Sequence, residues 1–346
     1  MFMRTGHNIT LMGQDLKRAY SEFVNSHPHS LVYHSIRFID FITDLTAAEQ
    51  QVFMVMDERE DLKAVLPLLS KEGSLGRVYN SLPYYGSHGG ILSVDEESER
   101  GLCDYYNKIA SANQTGASTI VGNPLIPQSQ PAQFQHNFMD HRIGQLSSIA
   151  HEDSCEEKLM ESFHQKTRNM IRKAARSGFS VGKENNNTNL LELIHRENME
   201  AINGSIKSSE FFKTLQNFFR ADIDYQIWVA RKGDEAAAAL LLLFYKDTVE
   251  YYVPATKSAF RSLQPMSLLI FEAMKDASSR GYKLWNWGGT WESQEGVHRF
   301  KKRWGSKDII YKYYTQVNSR KIYETRKEDL LEEYTNFFVI PFKQLN

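Results

Sequence analysis

The residues whose types and spacing are best suited to chemistry lie between Gly281 and Lys307. A run of bulky strand formers, YKLWNW, ends at Gly288 and Gly289, and a cluster of cations, RFKKR, begins at Arg299. Glycine lets a backbone approach a ligand closely, and a nearby cation can bind phosphate or polarise a carbonyl group. The pattern therefore indicates a pocket for a phosphate-bearing or carbonyl substrate, and a solvated basic surface explains the same residues about equally well.

The first candidate for a catalytic cation is Lys301, with an ordinary surface lysine as the alternative. Candidate proton acceptors are Glu295 and His298, just before it, and His88 in the loop SLPYYGSHGG (Ser81–Gly90). Imidazole titrates near neutral pH and therefore suits a general base. The sequence does not rank these three residues, and a packed histidine is the commoner explanation for His88.

Aromatic and glycine residues of the same loop suit acceptor binding. Tyr84 and Tyr85 can stack on a sugar ring or cap the core, and Gly89 permits close backbone approach. Both roles of the tyrosines remain open from sequence alone.

A second group of cations lies on a predicted helix, Cys155–Gly178, whose apolar residues recur at helical spacing. Arg168, Arg172 and Arg176 follow one another every four residues and share a face. Together with Lys173, Arg168 and Arg172 suit the phosphate of an acceptor or a tRNA backbone, although a solvated face is the commoner origin of such a stripe.

Composition limits the classes of protein that this chain can represent. Its 346 residues favour two domains, and a net charge of -1 argues against a DNA-binding protein. Cys103 and Cys155 form no metal-binding or disulfide pattern, which fits a cytoplasmic protein without a bound metal. The longest apolar run, Ala236–Tyr245, is too short to span a membrane, so we predict no transmembrane segment.

The predicted elements define an α/β (α+β) fold in which the second half repeats the first. Two helices, three antiparallel strands, a helix and a further strand follow one another between residues 189 and 287, the order of an N-acetyltransferase-like (GNAT-like) domain. We therefore predict tandem GNAT-like domains, each a mixed sheet flanked by helices, over residues 1–154 and 155–318. A tail, residues 319–346, is predicted to pack on the first domain.

Four segments resemble the FemABX peptidyltransferases and the related BioF2-like acetyltransferase proteins of polysaccharide biosynthesis. These are the glycine loop Ser81–Gly90, the helix KTRNMIRKAARSGFSV (Lys166–Val181), QPMSLLIFEAM (Gln264–Met274) with the strand YKLWNWGG, and GVHRFKKRWG (Gly296–Gly305). The resemblance implies transfer of an acyl group to an amine. It also implies an acyl donor that is acyl-CoA, an acyl carrier protein or aminoacyl-tRNA, and no tightly bound cofactor.

The same resemblance places the donor phosphates near the start of the helix at Gln264. The preceding loop, TKSAFRSLQPM, contains no glycine, so Lys257, Arg261, Gln264 and Ser267 are the predicted donor contacts. Asn286 replaces an acidic residue that the family commonly carries before its glycine turn, which removes a carboxylate base at that position. Its amide can still orient a substrate, and Arg299 is a further predicted substrate contact.

The sequence thus favours a cytoplasmic acyltransferase of the cell envelope, acting on an amine of a polysaccharide or sugar-nucleotide precursor. The predicted acceptor is a small-molecule or lipid-linked amino sugar, and a carrier protein or tRNA is a further predicted partner. Two alternatives remain: an aminoacyl-tRNA-dependent peptidoglycan ligase resembling FemX, and a non-catalytic glycan- or sugar-nucleotide-binding protein with the same fold.

Overall fold

The computed structural model describes residues 8–84, 88–126, 134–150, 155–341 and 344. Within them, the α-helices are α1 (Lys17–Ser26), α2 (Ile36–Thr46), α3 (Glu96–Ala110), α4 (Cys155–Ser162), α5 (Gln165–Arg176), α6 (Thr188–Glu200), α7 (Ser209–Phe218), α8 (Pro265–Ser279), α9 (Glu295–Lys302), α10 (Arg320–Glu324) and α11 (Lys327–Glu333). The strands are β1 (Asn8–Leu11), β2 (Glu49–Met56), β3 (Leu62–Lys71), β4 (Arg77–Asn80), β5 (Leu92–Ser93), β6 (Thr115–Val121), β7 (Phe138–Ser148), β8 (Ser180–Lys183), β9 (Tyr225–Lys232), β10 (Glu235–Tyr245), β11 (Thr248–Thr256), β12 (Leu284–Thr290) and β13 (Lys307–Val317).

The chain divides into two compact units, one formed by residues 1–142 and 310–346 and the other by residues 143–309. It passes from one unit to the other within strands β7 and β13. The predicted domain boundaries, after residues 154 and 318, lie a little beyond these points.

The sheet of the first unit joins an antiparallel set to a parallel step. Strands β1, β2, β3 and β4 pair antiparallel in that order, β5 pairs with β3, and β6 lies parallel to β4. Residues 313–317 of β13 pair antiparallel with β6. Helix α3 connects β4 to β6 by way of β5, and its Leu102 and Tyr106 pack on Leu66 and Ile120 of the sheet.

The second unit repeats this order. Strands β8 to β11 pair antiparallel, β12 lies parallel to β11, and residues 143–148 of β7 pair antiparallel with β12. Strand β10, EAAAALLLLFY, is buried on both faces, as its continuous apolar run predicts. Leu240 and Leu242 belong to the core that includes α8, and the alternate residues Leu241 and Leu243 are also buried. Mixed sheets with helices in both units confirm the predicted α/β fold.

Two local predictions were wrong. The single helix over Cys155–Gly178 is two helices, because His164 has extended backbone angles and its imidazole accepts a hydrogen bond from the N–H of Lys166 to start α5. The glycine pair Gly288-Gly289 does not end β12, which continues to Thr290 through a bulge. No helix among the described residues is long and apolar enough to cross a membrane.

Candidate acyl-transfer site

The parallel strands β11 and β12 pair along only part of their length. Pairing runs from Thr248 beside Leu284 to Glu250 beside Asn286, and beyond these residues the two strands share no register partners although both continue. Beyond Glu250 and Asn286, the backbone N–H and C=O groups on the facing edges of β11 and β12 therefore do not bond to each other and can bind another partner. This separation is the geometric centre of the candidate site.

A β-bulge on β11 accompanies the separation. Leu242 of β10 lies opposite Tyr251, whereas the preceding Leu241 lies opposite Val253, so Tyr252 is the extra residue. A bulge bends its strand and changes the direction of the side chain it carries. The bulged Tyr252 lies two residues beyond Glu250, the last residue of β11 that pairs with β12.

Strand β12 carries a matching irregularity on its other edge. Asn286 lies opposite Leu146 of β7, but the next pair is Gly289 opposite Gly144, so two residues of β12 face one of β7. Gly288, within this bulge, has a φ of +69°, which favours glycine. The glycine pair predicted to form a turn thus forms a bulge inside the strand.

Glu250 and Asn286 lie side by side where the strands separate, and each is only 1% exposed. Register partners on adjacent strands project to the same face of a sheet, so the carboxylate and the amide share one side. The Asn286 Oδ1 accepts a hydrogen bond from the N–H of Gly288 at 2.9 Å, whereas its buried Nδ2 has no hydrogen-bond partner. A buried donor without an acceptor costs about 1–3 kcal/mol, which a ligand's oxygen can recover.

Sequence analysis overlooked Glu250. The carboxylate that is missing at Asn286 is present on the neighbouring strand, at the residue that pairs with it. A signal was available, since a glutamate in the otherwise aromatic and aliphatic run VEYYV is unexpected in a buried strand. Its proximity to Asn286 depends on the parallel pairing, which local sequence does not specify.

Lys301 lies under the bulge of β12 and is 6% exposed, so it is not a surface lysine. Its ammonium donates to the hydroxyl of Thr290 at 2.8 Å, the carbonyl of Gly289 at 3.2 Å and that of Gly288 at 3.4 Å. An ammonium has three donors, and three acceptors of β12 occupy them. Burial lowers the pKa of Lys301 to about 8. In this geometry Lys301 stabilises the bulge at Gly288 and Gly289, and so affects the site through the backbone of β12.

The opposite face of α9 lines a cavity of about 400 Å³ through Glu295, His298, Arg299 and Lys302. Ile143 and Glu292, which lie outside the helix, complete the lining. His298 Nε2 lies 3.1 Å from the carboxylate of Asp308, and Lys302 lies 3.2 Å from the same oxygen. Burial alone would raise the pKa of Asp308, but hydrogen bonds from His298 and Lys302 outweigh it and lower that pKa. Arg299 is largely exposed. Helix α9 therefore separates the predicted residues: Lys301 points to β12, and His298 and Arg299 point to this cavity.

The predicted donor contacts gather at the start of α8. Gln264 precedes Pro265 with a left-handed φ of +63°, and the helix has no side-chain N-cap. Arg261 donates to Asn198 Oδ1 at 3.2 Å, and Gln264 donates to the carbonyl of Arg261 at 2.9 Å. Ser267 is buried in the first turn. A helix N-terminus without a cap is suited to binding an anion.

Two predicted cations have partners around this helix start. Lys257 forms an ion pair with Glu235 at 3.1 Å, and Lys173 of α5 donates to the carbonyl of Ser262 at 2.7 Å. Lys173, predicted for the acceptor, thus lies beside the predicted donor contacts. The neighbouring Arg172 is exposed.

Arg168 joins the two helices that replace the predicted single one. Its guanidinium donates to the carbonyl of Phe163 at 2.6 Å and to that of Met160 at 3.3 Å. These bonds satisfy carbonyls at the end of α4, where a helix leaves acceptors without intrahelical donors. The contacts favour a structural role for this residue.

The glycine loop belongs to the first unit. His88 is fully buried, with the rings of Tyr33 and Tyr311 at 5.3 and 4.8 Å. Tyr84 is also buried, and its N–H donates to the carbonyl of Asn336 at 3.0 Å. A Cβ on Gly89 would lie 2.6 Å from the carbonyl oxygen of Ser81, so only glycine fits. These environments favour packing, and the predicted base and stacking roles remain predictions.

Tyr85 lies outside the described residues. Among the residues that are described, no cluster of three or more histidine, cysteine, aspartate or glutamate side chains is arranged to hold a metal ion.

Comparison with known proteins assigns the chemistry of the second unit. Residues 162–302 match the acetyltransferase (GNAT) domain family. This range contains Glu250, Asn286 and Lys301. The match confirms the prediction that the chain is an acyltransferase. No curated protein sequence matches the chain.

Solved structures confirm the tandem architecture and the predicted resemblance at the level of the fold. The crystal structure of FemX is 15% identical, with a TM-score of 0.71, and the similarity covers 92% of this chain and 99% of FemX. The C-terminal domain of a putative lysylphosphatidylglycerol synthetase from Agrobacterium fabrum is 10% identical, with a TM-score of 0.54. The similarity covers 94% of this chain and 98% of that domain. A tandem GNAT protein from the clavulanic acid biosynthesis pathway is 9% identical, with a TM-score of 0.50. The similarity covers 89% of this chain and 98% of that protein.

Proposed function

We propose that this chain is an N-acyltransferase of cell-envelope assembly, which transfers an acyl group to an amine of a polysaccharide or sugar-nucleotide precursor. The observation that carries the proposal is the separation of β11 from β12 immediately beyond Glu250 and Asn286, inside the acetyltransferase-like range. The likeness of the fold to FemX and to the lysylphosphatidylglycerol synthetase domain supports an acceptor of the cell envelope.

The proposed reaction needs a neutral amine, a polarised carbonyl and close approach of the two. Glu250 accepts a proton from the acceptor's ammonium group, since its carboxylate lies where the strands open. The amine nitrogen then forms a bond to the acyl carbon, and the bond from that carbon to the donor's sulfur or oxygen breaks. The nitrogen's second proton leaves with that sulfur as a thiol or with that oxygen as a hydroxyl. Asn286 Nδ2 donates to the carbonyl oxygen as negative charge develops on it.

The donor proposed for this reaction is an acyl thioester, with acyl-CoA preferred over an acyl carrier protein. The uncapped start of α8 receives the donor's phosphates, and Arg261 and Lys173 add positive charge beside it. Acyl-CoA is the usual donor of GNAT domains, and residues 162–302 match that family. We propose a cytoplasmic location because these donors are made there.

The second candidate function is an aminoacyl-tRNA-dependent peptidoglycan ligase resembling FemX. The specific observation in its favour is the extent of the likeness, which covers 99% of FemX at a TM-score of 0.71. The exposed cations on α5, including Arg172, offer a surface for tRNA phosphates. A net charge of -1 for the whole chain favours the thioester donor instead.

The experiment that tests the first proposal measures acyl transfer from labelled acyl-CoA, acyl carrier protein and aminoacyl-tRNA to amino-sugar nucleotides and lipid-linked amino sugars. We expect product with a thioester donor and an amino-sugar acceptor. Product with aminoacyl-tRNA alone would establish the second candidate. Acceptor binding without product from any of the three donors would contradict both.

Salt dependence gives an independent measurement of the donor. Binding of tRNA neutralises several phosphates, so its affinity should fall steeply as salt rises, whereas coenzyme A binding should change little. We expect the shallow dependence. Sub-micromolar retention of charged tRNA at physiological salt would favour the ligase.

A further inference from the structure

Lys207 lies on the connection between α6 and α7, over two aromatic rings. Its Nζ is 4.9 Å from the centre of the Phe211 ring and 5.3 Å from that of Tyr252. The two rings are stacked on one another at 6.0 Å with an interplanar angle of 26°. Tyr252 is the extra residue of the β11 bulge, so the amine of Lys207 lies beside the bulge, two residues beyond the last residue of β11 that pairs with β12.

The backbone of Lys207 is fixed from the side of α6. Its N–H donates to His195 Nε2 at 3.1 Å, and His195 is 4% exposed. Burial, together with the charges of Lys207 and Arg196, lowers the pKa of His195 to about 4, so its imidazole stays neutral and can accept this bond near pH 7. The connection therefore holds the lysine over the rings.

Lys207 also differs chemically from Lys301, the other described lysine with a strongly shifted pKa. Burial lowers the pKa of Lys207 to about 7, so a large fraction of its amine is neutral near pH 7. Burial lowers the pKa of Lys301 only to about 8. An uncharged amine is the form that attacks a carbonyl carbon.

We propose that Lys207 is a self-acylation site, which takes an acyl group from a thioester donor held where β11 and β12 separate. The proposal rests on the proposed function for the donor and its place, and on the ring contacts for the lysine. The Nζ lone pair forms an amide bond to the acyl carbon, the carbon–sulfur bond breaks, and the proton lost from the amine leaves with the sulfur as a thiol. The product is a neutral acyl-lysine beside the bulge.

Mass spectrometry of the full chain after incubation with isotope-labelled acetyl-CoA at pH 7 tests the proposal. Lys213, an exposed lysine of α7, is the internal control. We expect label on Lys207 at a rate at least about tenfold above that on Lys213, because a large fraction of the Lys207 amine is neutral at this pH and the donor is proposed to lie beside it. The Lys207→Arg variant, which keeps a cation over the rings, should lose this label. Unfolded protein should lose the difference between the two lysines.

Label on Lys207 that is no faster than on Lys213, or equal in folded and unfolded protein, would overturn the proposal, as would absence of label from Lys207. Acyl transfer to an added amine without label on Lys207 also overturns it and leaves the proposed function standing. Label on Lys207 without transfer to any added acceptor supports self-acylation and counts against the proposed function.

Discussion

The parallel strand pairs of the two units have the same place in the chain order and opposite local structure. In the first unit, the pairing of β4 with β6 continues one residue beyond the end of β4, since the N–H of Ser81 donates to the carbonyl of Thr119 at 3.0 Å. The hydroxyl of Ser81 then accepts from the N–H of Val121 at 2.8 Å. In the second unit, β11 and β12 separate after Glu250 and Asn286.

Each parallel pair contains a buried asparagine, Asn80 in β4 and Asn286 in β12. The two asparagines differ in their hydrogen bonds. Asn80 donates to the carbonyl of Phe338 at 2.8 Å and accepts from the N–H of the same residue at 2.7 Å. Phe338 belongs to the C-terminal segment, which also binds the N–H of Tyr84 through Asn336. The equally buried Asn286 has no partner for its Nδ2.

This contrast teaches which of the two parallel pairs is built for a ligand. In the first unit the protein's own C-terminal segment supplies the donor and acceptor that Asn80 needs, so nothing is left for a substrate to satisfy there. In the second unit the two strands stop pairing after a buried carboxylate, Glu250, and a buried amide, Asn286, whose Nδ2 has no hydrogen-bond partner. The comparison predicts that substitutions in the second pair change activity and those in the first change stability.

The largest effect is expected for Glu250→Gln. Glutamine keeps the shape of the side chain but cannot accept the amine proton, so turnover should fall by about 10²–10⁴-fold. Steady-state rates with saturating donor and acceptor, together with thermal unfolding of the variant, check this. Unchanged turnover in a folded variant would remove Glu250 from the reaction and leave the unranked candidates His298, Glu295 and His88.

Asn286→Ala should lower turnover by about 10²–10³-fold, because it removes a donor aimed at the developing negative charge. Donor affinity, measured by titration calorimetry with coenzyme A, should change little because the site proposed for the donor's phosphates is at the start of α8. A loss of donor affinity equal to the loss of turnover would mean that Asn286 contributes to donor binding instead.

Sequence analysis predicted the order of the elements well because strands such as β10 and helices such as α8 have strong periodicity and clear ends. It did not identify β7, whose FMDHRIGQLSS mixes apolar and charged residues, among them the buried Arg142 and Gln145. It also predicted one helix across His164, where side-chain capping divides the chain into two. Capping by His164 is a local hydrogen bond to the N–H of Lys166 that hydrophobic periodicity does not record, and the pairing of a strand with charged residues depends on tertiary contacts.

The candidate site was predicted less completely for a related reason. Lys301 and Asn286 were selected because they lie on either side of a glycine pair within one short stretch of sequence. Glu250 is distant along the chain and lies beside Asn286 only through the parallel pairing. The role of Lys301 also depends on its burial, which directs its ammonium to the carbonyls of β12. Local sequence identified which residues are unusual, whereas strand pairing in the sheet determines which of them lie side by side.

Lys301→Met should change the pH dependence of stability. The lysine has an ordinary pKa near 10.5 unfolded and about 8 folded, so between these values the unfolded chain binds more protons and stability rises with pH. At lower pH both states are protonated and this contribution is lost. Wild type should therefore gain roughly 2–3 kcal/mol more than Lys301→Met between pH 7.5 and about 10.5, by denaturant unfolding. Equal gains would show that the folded pKa of Lys301 is not lowered.

The smallest effect on activity is expected for Asn80→Ala in the first unit. The variant loses both hydrogen bonds to Phe338 and leaves the partly buried N–H of that residue without its acceptor, so stability should fall by about 1–3 kcal/mol. Turnover per folded molecule should stay within about twofold of wild type, since the amide of Asn80 forms its hydrogen bonds with the C-terminal segment and not with a substrate. Denaturant unfolding and rates measured at a temperature where the variant is fully folded separate the two quantities. A large loss of turnover in folded Asn80→Ala would mean that the first parallel pair also takes part in the reaction, and the contrast between the two units would fail.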